Sequence, residues 1–203
     1  MAAPESPATS LSAPSSVAPS APSWAEPEGL KLNVGGIERR PGWTVVNIQP
    51  GPTVDVVADA RDLSMFADGS VAALYASHIL EHLSYQREVD AALAEWHRVL
   101  VPGGVVMVAV PNLGVLCQIY VHPEATAEHR HKLRRIIFGG QVDAFDVHKA
   151  GFDATSLGAH LTVAGFTGIE RVADFGLFED TSRLRLGEVP VSLNMRATKP
   201  RAG

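Results

Sequence analysis

The side chains able to do chemistry gather in a few short stretches. His78, Glu81 and His82 fall together in the segment Ser77-His78-Ile79-Leu80-Glu81-His82. An imidazole titrates near neutral pH, so His78 is a candidate general base. With His82 and a carboxylate such as Asp62 the spacing also permits a metal site, but it singles none out, and none is assigned. Glu81 and His82 are read as structural, with the Glu81 carboxylate bonding backbone or His82 at the start of a helical turn. A second set, Gln141, Asp143, Asp146, His148 and Lys149, crowds the loop that follows Gly139-Gly140 and ends at Gly151. Loops dense in polar groups often carry function. Asp146 and His148 are therefore catalytic candidates, weighed against a plain solvated surface loop. A third stretch, His129–Arg135 (HRHKLRR), suits a phosphate or acidic partner, or is the wet face of a helix.

These residues need elements to position them. Leu30–Val34, Trp43–Ile48 and Val54–Ala58 read as three short strands, ending respectively in Gly35-Gly36, in Gln49-Pro50-Gly51 and in Asp59-Ala60-Arg61-Asp62. In an open parallel sheet ligands bind beyond the carboxyl ends of the strands, and a glycine pair there lets backbone approach a ligand closely. Only Gly36–Gly42 links the first two strands, so the first crossover helix is expected to be a single turn or absent. Val71–Ser77 and Val105–Val110 are apolar almost throughout, as for strands buried on both faces. Between them Ser84 is expected to cap a helix whose buried stripe is Val89, Ala92, Leu93, Trp96, Val99 and Leu100, stopped by Pro102-Gly103-Gly104. Leu113–Phe138 reads as mostly helical, and Asp153 or Thr155 caps a later helix carrying Leu157, Leu161 and Ala164. Ile169–Phe175 is a sixth strand. Val189–Thr198 alternates strictly, which predicts an antiparallel strand with one wetter face.

The chain has 203 residues, a net charge of −5 and one cysteine, Cys117. That length accommodates one domain with a real core, and the acidic balance gives no pull toward nucleic acid or anionic membrane. A single cysteine excludes an internal disulfide and a multi-cysteine zinc site, and a reducing, cytoplasmic setting is the simple expectation. No apolar run is long enough for a membrane-spanning helix. Residues 1–28, nearly all Ala, Pro and Ser, are expected to be a disordered tail ahead of one domain over residues 29–203.

The succession of a Gly-ended strand, VADARDL, YASHILEHL, EWHRVLVPGG and VAVPN resembles class I S-adenosylmethionine-dependent methyltransferases, in particular the small predicted methyltransferases of the type 11 group. The resemblance covers roughly Leu30 to Asn112 and, weakly, the last strand pair. It implies an α/β, Rossmann-like, seven-stranded, mainly parallel sheet with an antiparallel last strand and helices on both faces. It implies S-adenosyl-L-methionine as cofactor. Asn33, Gly35 and Gly36 would line its methionine and ribose, Asn47 and Gln49 would stand where the family places a ribose-binding acid, and Asp59 and Ala60 would meet the adenine. Ser77 and His78 would end the fourth strand where cofactor and acceptor pockets meet, and residues 113–151 would form a lid and acceptor region. The family's GxG is here Gly35-Gly36-Ile37, and its acid is Asn47.

The expected activity is methyl transfer to a small-molecule acceptor, chiefly by alignment, with His78, Asp146 and His148 as catalytic candidates. The alternative is a catalytically inactive binding or scaffold protein on the same fold, which the altered glycine motif and Asn47 would permit. A nucleic-acid methyltransferase is disfavoured by the acidity and by Ser77-His78-Ile79-Leu80, which replaces an aromatic-rich tetrapeptide after the fourth strand. Acceptor identity and oligomeric state are not encoded in any motif.

Overall fold

A computed structural model describes residues 25–201. Seven strands form one sheet: β1 (Leu30–Val34), β2 (Trp43–Asn47), β3 (Val56–Val57), β4 (Val71–Ser77), β5 (Leu100–Pro111), β6 (Thr167–Val172) and β9 (Ser192–Thr198). Their spatial order is β3-β2-β1-β4-β5-β9-β6. The first five run parallel, and β9 lies antiparallel to both β5 and β6. The expected mainly parallel sheet with an antiparallel last strand is what the chain builds. Strand order reverses between β1 and β4, so the crevice for a ligand opens at their carboxyl ends.

The unbroken apolar runs have the predicted cause. β4 is buried on both faces except at Ser77, and Val106–Val110 of β5 are fully buried. Residues two apart share a face, so Leu74, Val106 and Val108 look one way and Ala73, Tyr75, Met107 and Ala109 the other. Helix α1 (Glu88–Val99) lays Val89, Ala92, Leu93, Trp96 and Val99 on the first face beside Leu157 and Leu161 of α4 (Ala154–Val163). Helices are expected on both faces, but among the described residues no α-helix contributes to the core of the second face. Residues 36–42 contain no helix, as the short link predicted, and an aromatic segment fills the space instead. Phe175 and Phe178 pack on Tyr75 with ring centroids 5.5 and 4.8 Å away, and Phe178 meets Trp43 edge-on at 5.5 Å. Such pairs add about 0.5–1.5 kcal/mol each beyond their burial. Helices α2 (Leu113–Val121) and α3 (Ala127–Phe138) form a separate pair with its own small core around Leu116, Leu133 and Val191.

Several boundaries depart from the sequence reading. Ser84 does not cap α1; the helix starts at Glu88, whose carboxylate reaches back to accept the Ser84 N–H at 2.8 Å. Leu113–Phe138 is two helices, because His122-Pro123 interrupts the run and Thr126 caps a new start with His129. Val189–Thr198 is broken as well: Val189–Pro190 (β8) pairs with Arg185–Leu186 (β7) in a small separate ribbon, since proline lacks the N–H that a central ladder uses. The polar face of β9 is wetter only in its second half, where Arg196 and Thr198 are half-exposed. Ser192 and Asn194 are buried, and the Asn194 amide donates to the Ala173 and Ser182 carbonyls at 3.0 Å, because residues 173–184 cover the first half. Residues 1–24 of the expected tail lie outside the described residues. Glu26 is already tethered, accepting from the Trp43 indole at 2.8 Å and pairing with Lys31 at 2.8 Å.

Candidate functional site

At the carboxyl end of β1 the backbone turns at Gly35, whose φ is +76°, and its N–H donates to the Val46 carbonyl at 2.7 Å. A side chain there would be strained, and its Cβ would stand 1.9 Å from Ile79 Cδ1. At Gly36 a Cβ would stand 2.1 Å from the buried amide of Asn33, which donates to the Glu38 carbonyl. Asn47 closes this turn. Its Nδ2 donates to the Gly35 and Gly36 carbonyls, both at 3.0 Å, while its Oδ1 accepts the Gln49 N–H at 2.9 Å. A carboxylate has no hydrogen to give two carbonyls, which is a local reason for an amide where the family has an acid. Gln49 then extends its side-chain amide to Asp143 at 3.3 Å, so the loop after α3 reaches across to the end of β2.

Beyond β3, Asp59 is held by Arg61 through Oδ1 at 2.9 Å and Oδ2 at 2.6 Å. The Arg61 hydrogen bonds hold its carboxyl below the usual range against a smaller opposing effect of burial, so Asp59 is ionised. Arg61 also pairs with Glu88, which Lys149 approaches at 3.5 Å. Ala60 is fixed through its carbonyl, which accepts from the Trp96 indole at 2.8 Å.

At the end of β4 the Ser77 hydroxyl lies 3.3 Å from that of Thr181. His78 adopts φ +55°, rare for a side chain bearing a Cβ. The Ser192 hydroxyl donates to the Thr181 carbonyl at 2.6 Å, so it receives the hydrogen of His78 Nε2 at 2.9 Å. His78 Nδ1 lies 3.1 Å from Glu81 Oε1, a charge contact that misses hydrogen-bond alignment. Both ring nitrogens thus face protein partners. The reading of Glu81 is corrected here: its carboxylate is fully buried and meets His78 rather than His82. Burial raises its pKa, but the charge of His78, then that of His148, outweighs this and leaves it below the ordinary value. Its backbone carbonyl accepts from Lys149 and Ala150 at 2.7 and 3.0 Å and ties down the loop.

Within that loop, Asp146 turns its carboxylate onto its own backbone, accepting from Gly140 at 3.1 Å and Val142 at 3.3 Å. His148 sits over His82, ring centroids 4.7 Å apart and nearly perpendicular. Burial, opposed by Glu81, holds its imidazole below the ordinary histidine pKa. His148 also borders a cleft of about 580 Å³ with Tyr85, Cys117, Tyr120, Ile137 and Phe138, roofed by α2 and α3. The candidates of β1, β2 and the loop therefore meet through Gln49 and Asp143, and those of β4 meet the loop through Glu81. Asp59 stands in a separate cluster linked to the loop by Glu88 and Lys149. Ile79, Thr181 and Ser192 join the site without a signal in the sequence, since each is placed by a contact with a distant segment.

A switch-point crevice, a glycine turn at the end of β1 and an acid beyond β3 define the class I, Rossmann-like methyltransferase fold. Residues 28–108 match the type 11 family model described as a methyltransferase domain, and the resemblance read from the motifs stands. Among solved structures, a SAM-dependent methyltransferase from Archaeoglobus fulgidus is 17% identical, covering 84% of this chain and 86% of its own, with a TM-score of 0.52. The Burkholderia thailandensis 1,6-didemethyltoxoflavin-N1-methyltransferase, solved with 1,6-didemethyltoxoflavin and S-adenosylhomocysteine, is 16% identical over 84% and 71% of the two chains, TM-score 0.54. Sequence comparison with curated proteins gives no match. No helix among the described residues is long and apolar enough to cross a membrane.

Proposed function

We propose that the protein transfers a methyl group from S-adenosyl-L-methionine to a small-molecule acceptor. The observation that carries this reading is the turn at Gly35-Gly36, a backbone cradle beside the strand-order reversal in which any side chain would be strained or would collide. The methionine and ribose lie against Asn33, Gly35 and Gly36, and the adenine against Ala60 with the ionised Asp59 as acceptor for its amine. The residues fit the cofactor in outline. Ile79 over Gly35, and the bridge from Gln49 to Asp143, lie on its path and must shift. When bound, the cofactor supplies an electrophilic methyl on a sulfonium. The chain then aligns the acceptor, and alignment alone can account for about 7–11 kcal/mol of barrier. The cleft beside Cys117, Tyr120 and Phe138, roofed by α2 and α3, receives a compact, partly aromatic acceptor. His148 borders this cleft, Asp146 shapes the loop by holding its backbone, and His78 is engaged by Ser192 and Glu81.

Calorimetric titration of S-adenosylmethionine and S-adenosylhomocysteine tests the reading, with Asp59→Ala alongside. Micromolar binding weakened by about 1–3 kcal/mol in the variant supports the cofactor site. The absence of heat, and of thermal stabilisation at millimolar cofactor, sinks it. That result favours the second reading, a non-catalytic binding protein, which the engaged Asn47 amide and the position of Ile79 support.

A further inference from the structure

A cluster of unpartnered polar atoms lies apart from the glycine turn at the end of β1. Glu81 Oε1 and Oε2, His82 Nδ1 and His148 Nδ1 are all buried side-chain atoms without a hydrogen-bond partner. Elsewhere among the described residues only His97 Nε2 and Asn194 Oδ1 share that state, so the unpartnered atoms are concentrated rather than scattered. Buried polar atoms are nearly always satisfied, and a group of them converging from three residues calls for a reason. One ligand atom from each of Glu81, His82 and His148 lies within 4.8 Å of the other two.

The geometry points to a binding site for one zinc-type divalent cation, held by the Glu81 carboxylate, His82 Nδ1 and His148 Nδ1. Two imidazoles and one carboxylate are a donor set suited to zinc and its neighbours, whereas magnesium and calcium favour oxygen alone. With bonds of about 2.1 Å, ligand atoms around a tetrahedral ion stand about 3.4 Å apart, so atoms now within 4.8 Å of one another close by at most about 1.4 Å. Side-chain rotations can supply that closure, because Glu81 and His82 lie on one helical turn and His148 meets His82 edge-on. Two of the three ligands are also supported from behind, as metal ligands usually are. His78 Nδ1 stands 3.1 Å from Glu81 Oε1 and orients the carboxylate. The Ile136 backbone is a polar neighbour of the His148 ring. The ion would clamp the loop of residues 139–151 to the end of β4, adding to the two hydrogen bonds that Lys149 and Ala150 give the Glu81 carbonyl. This inference does not depend on the methyl-transfer reading.

The test uses the full chain, stripped with a chelator and then titrated with zinc by calorimetry and with cobalt by visible absorption. One equivalent should bind, raise the melting temperature and give the ligand-field bands of a histidine-containing site. His82→Ala and His148→Ala should each weaken binding at least roughly 100-fold, since even outer-shell changes cost 10–100-fold. His131→Ala, at an exposed position, should leave binding unchanged. Circular dichroism checks that each variant is folded. Should His148→Ala fail that check, His82→Gln, at a half-buried position, makes the same comparison. The proposal is overturned if no stoichiometric binding is found, if binding survives loss of His82, or if His131→Ala abolishes it.

Discussion

Asn47 shows how one amide can decide the shape of a binding turn. It donates to two carbonyls and accepts one N–H; a carboxylate has no hydrogen to donate and a hydroxyl has only one. Asn47→Asp should therefore destabilise the protein by about 1–3 kcal/mol, because the two carbonyls lose their donor and face a negative charge. The shift of the urea midpoint measures this. Gly35→Ala combines a left-handed φ with a collision against Ile79. A loss of about 1–3 kcal/mol is expected. The double variant with Ile79→Ala should recover the part due to collision and leave the part due to strain, which a double-mutant cycle separates.

At the scale of elements, α1 is the fastener of the first half of the sheet. Its Trp96 fixes the Ala60 carbonyl, and its Glu95 accepts from the Leu63 N–H while pairing with Arg98, which bonds the Leu63 and Phe66 carbonyls. The segment that places Asp59 and Ala60 thus depends on α1 rather than on β3, which has only two residues. The Arg98 hydrogen bonds hold the Glu95 carboxyl below its ordinary 4.5, with burial opposing and the Leu63 N–H assisting. The folded pKa lies under the unfolded one, so this contribution is fully present above about pH 4.5 and is lost as pH falls through the folded value. Glu95→Gln should lower stability at neutral pH and flatten the decline as pH falls below about 4.5, as urea unfolding across that limb would show. An unchanged acid limb would mean that other carboxylates dominate it. On the opposite face, Tyr75 donates to Asp180 at 2.8 Å beneath the aromatic cover. Tyr75→Phe should cost about 1–3 kcal/mol, by leaving that carboxylate with one donor fewer.

The whole molecule couples its halves through the loop of residues 139–151. That loop touches the end of β2 through Asp143 and Gln49, the end of β4 through Glu81, and the Asp59 cluster through Lys149 and Glu88. A cofactor displacing Ile79 and the Gln49 bridge must change this loop. Hydrogen exchange with and without S-adenosylhomocysteine should show altered protection over residues 139–151, while the amides of β4 and β5 stay protected. Unchanged loop exchange on saturation would argue that the loop does not roof the site.

The sequence by itself determined the architecture of this protein. Continuous apolar runs at β4 and β5 announce buried parallel strands because both faces must be covered, and the seven residues of Gly36–Gly42 leave no room for a full crossover helix. The motifs from YASHILEHL to VAVPN carried the family because they are local, each binding its function to a strand end and the turn after it. What the chain could not declare locally, the tertiary structure decided. Strict alternation made one side of β9 look wet, yet residues 173–184 fold over its first half and bury Ser192 and Asn194. His78 looked like a free base, yet Ser192, from far along the chain, takes its Nε2. Glu81, His82 and His148 converge only after the loop following α3 returns to the end of β4. Periodicity and spacing report the chain's own backbone geometry, whereas burial and partnership depend on which distant segment arrives to cover a residue.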